Sequence, residues 1–273
     1  MRLGIFTKTF ARPTLDGILD AVVAHGLPCT HFNMACVGLP SMPDEIDPDL
    51  ARQIQAAHVQ RGLKMAGISG TYNMIHPDVA VRADGLRRLA VLAQAAPLMG
   101  TAIITLCTGT RDAVNPWRHH PHNARPQAWA DLCREMAQAL TIAETHGLIL
   151  GVEPELGNVV NSAVQARRLL DEMRSPHLQI VLDGANLLRP ETVADQAAIL
   201  DAALDLLGDD LIMAHAKDIT LDGRHVAAGM GVLDYAHFVG GLQEIGFAGP
   251  LILHGLAEEQ VGDAVRFVRG AMG

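Results

Sequence analysis

Aromatic residues are scarce in this chain, at 4%, and cations are outnumbered, with 21 Lys and Arg against 30 Asp and Glu, a formal charge of −9. A nucleic-acid groove needs clustered positive charge and stacking platforms, so no nucleic-acid partner is expected. Cysteine is sparse as well. Cys29, Cys36, Cys107 and Cys133 lie 7, 71 and 26 residues apart, which matches neither a close-paired zinc motif nor a dense disulfide framework. They read as reduced, buried small residues. Long apolar runs are missing: the stretch Leu89 to Leu106 is interrupted by Gln94, Pro97 and Gly100, short of the roughly 20 residues that span a bilayer. Met1 and Arg2 are followed only by Leu3-Gly4-Ile5-Phe6, with no cleavage-site pattern, so a cytoplasmic location with no membrane partner is expected. Linkers and low-complexity tracts are absent too, which favours one domain over 1–273.

What remains is a chain of 273 residues, 49% apolar and 19% charged, able to bury a full core. At roughly 150 residues per domain the length allows two small domains or one large barrel. The pattern decides between them. Short β-type apolar runs fall at Leu3–Phe6, Thr30–Asn33, Lys64–Ile68, Ala102–Leu106, Leu148–Glu153, Leu178–Asp183, Leu211–His215 and Leu251–His254. Between them lie amphipathic stretches at Thr14–His25, Asp49–Arg61, Val79–Met99, Gln127–His146, Val160–Met173, Thr192–Leu207, Tyr235–Ile245 and Glu258–Arg269. Gly26, Gly62, Gly147, Gly208 and Gly246 each follow a helix and precede a strand, the expected stop position. Strict alternation calls for a parallel sheet. Eight units in roughly 250 residues is the size of a single-domain (β/α)8 TIM barrel, and no Gly-rich phosphate fingerprint follows the first strand to suggest a doubly wound sheet.

In such a barrel the chemistry sits where strands end and βα loops begin. Glu153, Asp183, His215 and His254 end the fifth to eighth strands. Carboxylates with imidazoles suit Mn²⁺, Fe²⁺, Co²⁺ or Zn²⁺ and disfavour pure Ca²⁺ binding. The blander alternative is that each residue separately caps a loop or satisfies a backbone group.

Three segments carry a family resemblance: Val152-Glu153-Pro154, Leu182-Asp183-Gly184-Ala185-Asn186 and His215-Ala216-Lys217-Asp218. They resemble the strand-end motifs of the sugar phosphate isomerase/epimerase group, the xylose-isomerase-like TIM barrels. The resemblance implies a divalent metal held by Glu153, Asp183, His215 and a glutamate ending the eighth strand. It also implies that the two metal-bound glutamates carry the proton on either side of an enediolate. Here Leu251-Ile252-Leu253-His254-Gly255 puts His254 where that second glutamate belongs. His254 could serve as ligand and base, since imidazole titrates near neutrality, or Glu155 could replace the missing carboxylate, because i and i+2 point the same way along a strand. Asn186 stands where some members have a histidine; an amide binds a hydroxyl but is no base.

Further polar residues fall on the βα loops: Lys8, Asn33, Ser69, Thr71, Asn73, His76, Thr105, Thr108 and Arg111. Asn33, His76, Thr105, Thr108, Trp117 and Asn186 are candidate substrate contacts, although loop Thr and Asn commonly make local backbone bonds. Lys217 lies two residues beyond His215, where a cation could polarise a carbonyl or, with a lowered pKa, form a Schiff base; Asp218 could simply pair with it. The loop Trp117-Arg118-His119-His120-Pro121-His122 is read as a lid with Trp117 over the pocket mouth. Its histidines are weak ligand evidence. Ala228-Gly229-Met230-Gly231 falls where barrels often bind phosphate, though a tight turn explains it equally.

The expected function is a metal-dependent isomerase or epimerase acting on a small sugar, sugar acid or sugar phosphate, with Glu153, Glu155, His254 and Lys217 as catalytic candidates. Metal-assisted lyase or hydrolase chemistry and a non-catalytic sugar-binding role are the alternatives. The family also resembles apurinic endonucleases, but a charge of −9 argues against a DNA groove. Homo-oligomers are implied by the resemblance alone; no exposed apolar stripe marks an interface.

Overall fold

The computed structural model describes all 273 residues. Seven parallel strands run in order: β1 (Arg2–Phe6), β2 (Cys29–Phe32), β3 (Lys64–Ser69), β4 (Ile103–Cys107), β5 (Ile149–Glu153), β6 (Leu178–Asp183) and β7 (Leu211–Ile219). After β7 the chain turns back as β8 (His225–Ala227), antiparallel to it, before β9 (Pro250–Leu253). β9 pairs in parallel with both β7 and β1, with Leu3 opposite Leu251 and His215 opposite Ile252, and this closes the sheet. The result is an eight-stranded parallel barrel with β8 as an appendage.

The helices are α1 (Leu15–Ala24), α2 (Pro48–Gln60), α3 (Val79–Met99), α4 (Pro126–His146), α5 (Ala163–Met173), α6 (Gln196–Leu207), α7 (Tyr235–Glu244) and α8 (Val261–Met272). Local chemistry sets several starts. The side chains of Thr14, Asp78, Ser162 and Asp234 accept hydrogen bonds from first-turn backbone N–H groups, and Asp47 does so with Pro48 in the first position. Each satisfies a donor that the helix itself cannot. α5 therefore begins three residues later than the apolar pattern from Val160 suggests, after its Ser162 cap. Gly208 is the exception among the helix-ending glycines: its φ of −52° is right-handed, and the chain continues into a 3₁₀ turn over Gly208–Asp210.

The core has two parts. A large apolar layer lies between strands and helices, with Ile5, Leu19, Phe32, Ile68, Leu92 and Phe238 among its fully buried members, each worth about 1.5–3 kcal/mol of burial. Inside the barrel a separate small plug is formed by Cys29, Val181, Met213 and Ile252. Gly4 makes room for it, because a Cβ there would lie 2.6 Å from Cys29 Sγ and 2.8 Å from Ile252 Cδ1. Two residues further along each of those strands come His31, Asp183, His215 and His254. Period-two alternation thus lays a titratable layer directly on an apolar floor at the C-terminal end of the barrel.

Four free cysteines are present, Cys29 and Cys107 buried and Cys36 and Cys133 half-buried. No helix is long and apolar enough to cross a membrane.

Candidate active site

Glu153 ends β5 and Asp183 ends β6, while His215 lies opposite Asp183 in the β6–β7 register. His215 Nδ1 is 3.1 Å from Glu153 Oε1 and 4.0 Å from Asp183 Oδ2, and one donor atom from each of the three falls within 4.8 Å of the others. Asn186 and Lys217 lock this trio. Asn186 Nδ2 donates to Glu153 Oε1 at 2.9 Å, and Lys217 Nζ donates to Asn186 Oδ1 at 2.7 Å. Lys217 Nζ also lies 3.1 Å from Asp183 Oδ2, without a well-aligned hydrogen bond. Both ends of the Asn186 amide are therefore committed to positioning Glu153 and Lys217.

The electrostatics follow from burial against pairing. Burial alone would raise Glu153, but the charges of His215, Lys217 and His254 hold it down at about 2. Burial likewise works against the charged form of His215, yet Glu153 raises its pKa. Lys217 is also raised despite burial, by Asp183, Glu153 and Glu155. This raised value runs opposite to the lowered pKa expected from the sequence for a Schiff-base lysine. Glu155 goes the opposite way: burial and the neighbouring Glu153 charge push it up to about 8.

Two buried polar atoms test the trio as a metal site. His215 Nε2 and Asp183 Oδ2 have no hydrogen-bond partner, an expensive arrangement unless a ligand completes it. Two carboxylates with one imidazole suit a divalent transition-metal ion, so Glu153, Asp183 and His215 could hold one. His254 does not join the group. It lies one residue beyond β9, with its ring parallel to His215 at a centroid distance of 5.0 Å and an interplanar angle of 6°, and Phe6 is 4.9 Å away. Burial lowers its pKa to about 3, with the His215 charge adding to the effect, and its Nδ1 also lacks a partner.

Above the trio opens a cavity of about 810 Å³. Glu153, Glu155, His215, His254, Asn33, His76, Thr105 and Trp117 all line it, as does Lys8. Glu155 reaches the same side as Glu153 although Pro154 intervenes, since both have a carboxylate oxygen within 4.8 Å of Cys107 Sγ. Several of these side chains already have partners: Asn33 Oδ1 accepts from Ala35 N and Ser41 Oγ, Thr105 Oγ1 bonds His31 Nε2 at 2.9 Å, and His76 Nε2 lies 3.2 Å from Ala113 O.

Other expectations are corrected. Thr108 is fully buried away from the cavity, its hydroxyl accepting from Val160 N at 3.1 Å to hold the approach to α5. Arg111 is turned to Asp131 and Ile75 O. The side chains of His119, His120 and His122 are outside the cavity lining, with His120 and His122 packed edge to face. The Gly229 and Gly231 amides are both taken by Asp218 Oδ2 at 3.0 Å, which leaves neither for a phosphate; Asp218 serves this loop and does not pair with Lys217.

Sequence reasoning missed His31, Tyr72, Cys107, Asp112 and His225, all of which line the cavity. His31 had a readable signal, because it alternates with the inward Cys29. His225 had none: it rides on β8, and β7 was expected to stop at His215 but runs on to Ile219.

A closed (β/α)8 barrel with carboxylates ending β5 and β6 and an imidazole beside them on β7 defines the class of protein. The chain belongs to the xylose isomerase-like TIM barrel family, whose sequence model matches residues 19–271. No protein of curated function matches it by sequence. It is similar in structure to 3-keto-D-glucoside 4-epimerase from E. coli, with a TM-score of 0.78, 17% identity and 99% of each chain covered. A D-tagatose 3-epimerase-like protein matches with a TM-score of 0.77 and 13% identity over 100% of this chain and 97% of the other. D-Psicose 3-epimerase from Clostridium cellulolyticum H10 matches at 0.73 and 12% identity, over 100% and 99%. At these identities the likeness is one of fold.

Proposed function

We propose that this protein is a divalent-metal-dependent isomerase or epimerase of a small sugar, sugar acid or sugar phosphate, moving a proton on the carbon next to a carbonyl. The observation that carries the reading is the Glu153, Asp183 and His215 trio, with the His215 Nε2 atom unpartnered, beneath a cavity that Glu153 and His215 line. The names of the structural neighbours, sugar epimerases, agree with it. A divalent ion bound by the trio supplies Lewis-acid polarisation of a carbonyl and its neighbouring hydroxyl.

The chain's own groups do the rest. Glu153 Oε1 is occupied by Asn186 and His215, so its Oε2 is the oxygen that takes or returns the proton. Glu155 is the second proton carrier: it lines the cavity together with Glu153, while the barrel's eighth strand, where the family pattern has a glutamate, is followed here by His254. Lys217 holds Asp183 and Asn186 in place, and its fixed charge favours the developing enediolate. His254, kept neutral by burial, offers Nδ1 to a substrate hydroxyl.

The test is solvent exchange. Protein supplied with Mn²⁺ and incubated with candidate ketoses and keto-sugars in D₂O incorporates deuterium at the carbon beside the carbonyl, and Glu153→Gln does not. Full exchange by Glu153→Gln would refute the reading. A lyase is the second reading, favoured by a Glu155 carboxyl that stays protonated near neutrality and could protonate a leaving hydroxyl; it would show as loss of water in the same samples.

A further inference from the structure

The cavity wall that follows β1 and β2 carries hydrogen-bond donors that no group of the protein answers. Asn33 is only 3% exposed, yet it lines the cavity. Its Oδ1 accepts from Ala35 N at 3.0 Å and from Ser41 Oγ at 2.9 Å. A backbone N–H only donates, so the orientation of the amide is fixed and Nδ2 is the free end. That Nδ2 donates to nothing in the protein, a costly state for a buried amide unless a ligand accepts from it. Lys8, exposed and on the same wall, pairs with no carboxylate.

The strand ends bring these two side chains together. Phe6 stands opposite His31 in the β1–β2 register, and Lys8 and Asn33 each come two residues later. Thr7 Oγ1 ties the ends, donating to His31 O at 3.3 Å and accepting from Asn33 N at 3.2 Å. The Lys8 charge is felt by the Cys36 thiol, on the turn that Asn33 caps. Other charges of the lining are paired or distant. Arg118 holds Asp112, and His215 and Asn186 hold Glu153. Glu155 follows β5, four strands from β1 in a ring of eight and so on the opposite wall.

Depth relates this pair to the trio. The His31 ring lies beside His215, at a centroid distance of 5.7 Å. Asn33 continues the extended backbone, with φ −135° and ψ 137°, and two residues of strand carry it about 7 Å further toward the mouth. A short polyol chain spans that interval. We infer that the substrate is a sugar acid: its carbonyl end sits over the trio, and a carboxylate at its other end is held by Lys8 Nζ and Asn33 Nδ2, one donor for each oxygen. A phosphate would ask for more donors than these two, and the Gly229 and Gly231 amides are already taken by Asp218. This rests on the isomerase reading and narrows its substrate class.

The experiment is calorimetric titration of the Mn²⁺-supplied protein with glucose, galactose, mannose and fructose, with the corresponding hexuronates, and with the corresponding 6-phosphates, sets that differ only at the sixth carbon. At least one hexuronate is expected to bind about tenfold or more tightly than its neutral sugar, and more tightly than its phosphate. Lys8→Gln and Asn33→Asp abolish that preference. Asn33→Asp keeps the acceptor that Ala35 and Ser41 use and replaces only the donor. Lys8→Arg keeps the preference, as does the control Lys64→Gln, at an exposed lysine outside the cavity lining. Hexuronates that bind no better than neutral sugars, phosphates that bind better than hexuronates, or binding of none overturns the inference. So does an undiminished preference in Lys8→Gln, which would seat the carboxylate on the metal instead. The two readings fail separately. A hexuronate preference that depends on Lys8, without deuterium exchange into any sugar, sinks the isomerase and leaves the carboxylate site; exchange into neutral sugars without that preference does the reverse.

Discussion

Two regions at the same end of the barrel each bury an aspartate, and they use it in opposite ways. Near the end of β7, Asp218 accepts from Ile219 N and from the Gly229, Gly231 and Leu233 N–H groups of the loop following β8, so both oxygens are consumed by the fold. At the end of β6, Asp183 accepts from Ala185 N with Oδ1 and leaves Oδ2 beside Lys217 with no hydrogen-bond partner. Equal burial and identical chemistry give a brace held by backbone donors in one place and, in the other, an oxygen faced only by the Lys217 ammonium. Burial alone therefore does not distinguish the two; the partners of each oxygen do.

The largest effect that sharpens this contrast is kinetic. Glu153→Gln is expected to lower the rate of solvent exchange by about 10²–10⁴-fold, the usual worth of a positioned proton carrier, measured as deuterium incorporation per unit time. On the brace side, Asp218→Ala leaves four backbone donors unmet and is expected to cost about 3 kcal/mol or more in denaturant unfolding. A loss below about 1 kcal/mol would break the comparison, because Asp218 would then be no brace.

Metal addition provides a further contrast. At a hundredfold excess over its dissociation constant, a divalent ion bound only by the native state adds about 2.7 kcal/mol of stability. The melting temperature of the wild type is expected to rise accordingly on adding Mn²⁺, and that of Asp183→Asn to stay put. The smallest effect concerns the histidine loop: His120→Ala with His122→Ala is expected to leave both the melting temperature and its response to Mn²⁺ unchanged. A lost response would make that loop a metal site after all.

Much of this was legible in the sequence, and the reason is periodicity. The eight strand runs and eight helical runs each landed within a few residues of the observed elements, because apolar alternation and helix-stop glycines are local signals. The strand-end reading named Glu153, Asp183 and His215, which the structure brings within 4.8 Å of one another, although β7 runs four residues past His215. The rest depended on long-range partners. Nothing local says that Asn186 reaches back 33 residues to Glu153, that Thr108 spends its hydroxyl on Val160, or that the ring of His254 stacks on His215. The β8 return was hidden because three residues of strand give no readable period. His31 was readable, since inward alternation in β2 runs from Cys29, but attention to the strand's last residue passed over it.

The most direct test is metal content by elemental mass spectrometry, on protein purified without chelators or immobilised nickel, for the wild type and the variants His215→Ala and His254→Ala. The account predicts about one equivalent of a divalent transition metal in the wild type and in His254→Ala, and none in His215→Ala, since the trio needs His215 and not its stacked neighbour. A wild type that takes up no metal even when it is supplied, or a His215→Ala variant that keeps it, would contradict the account.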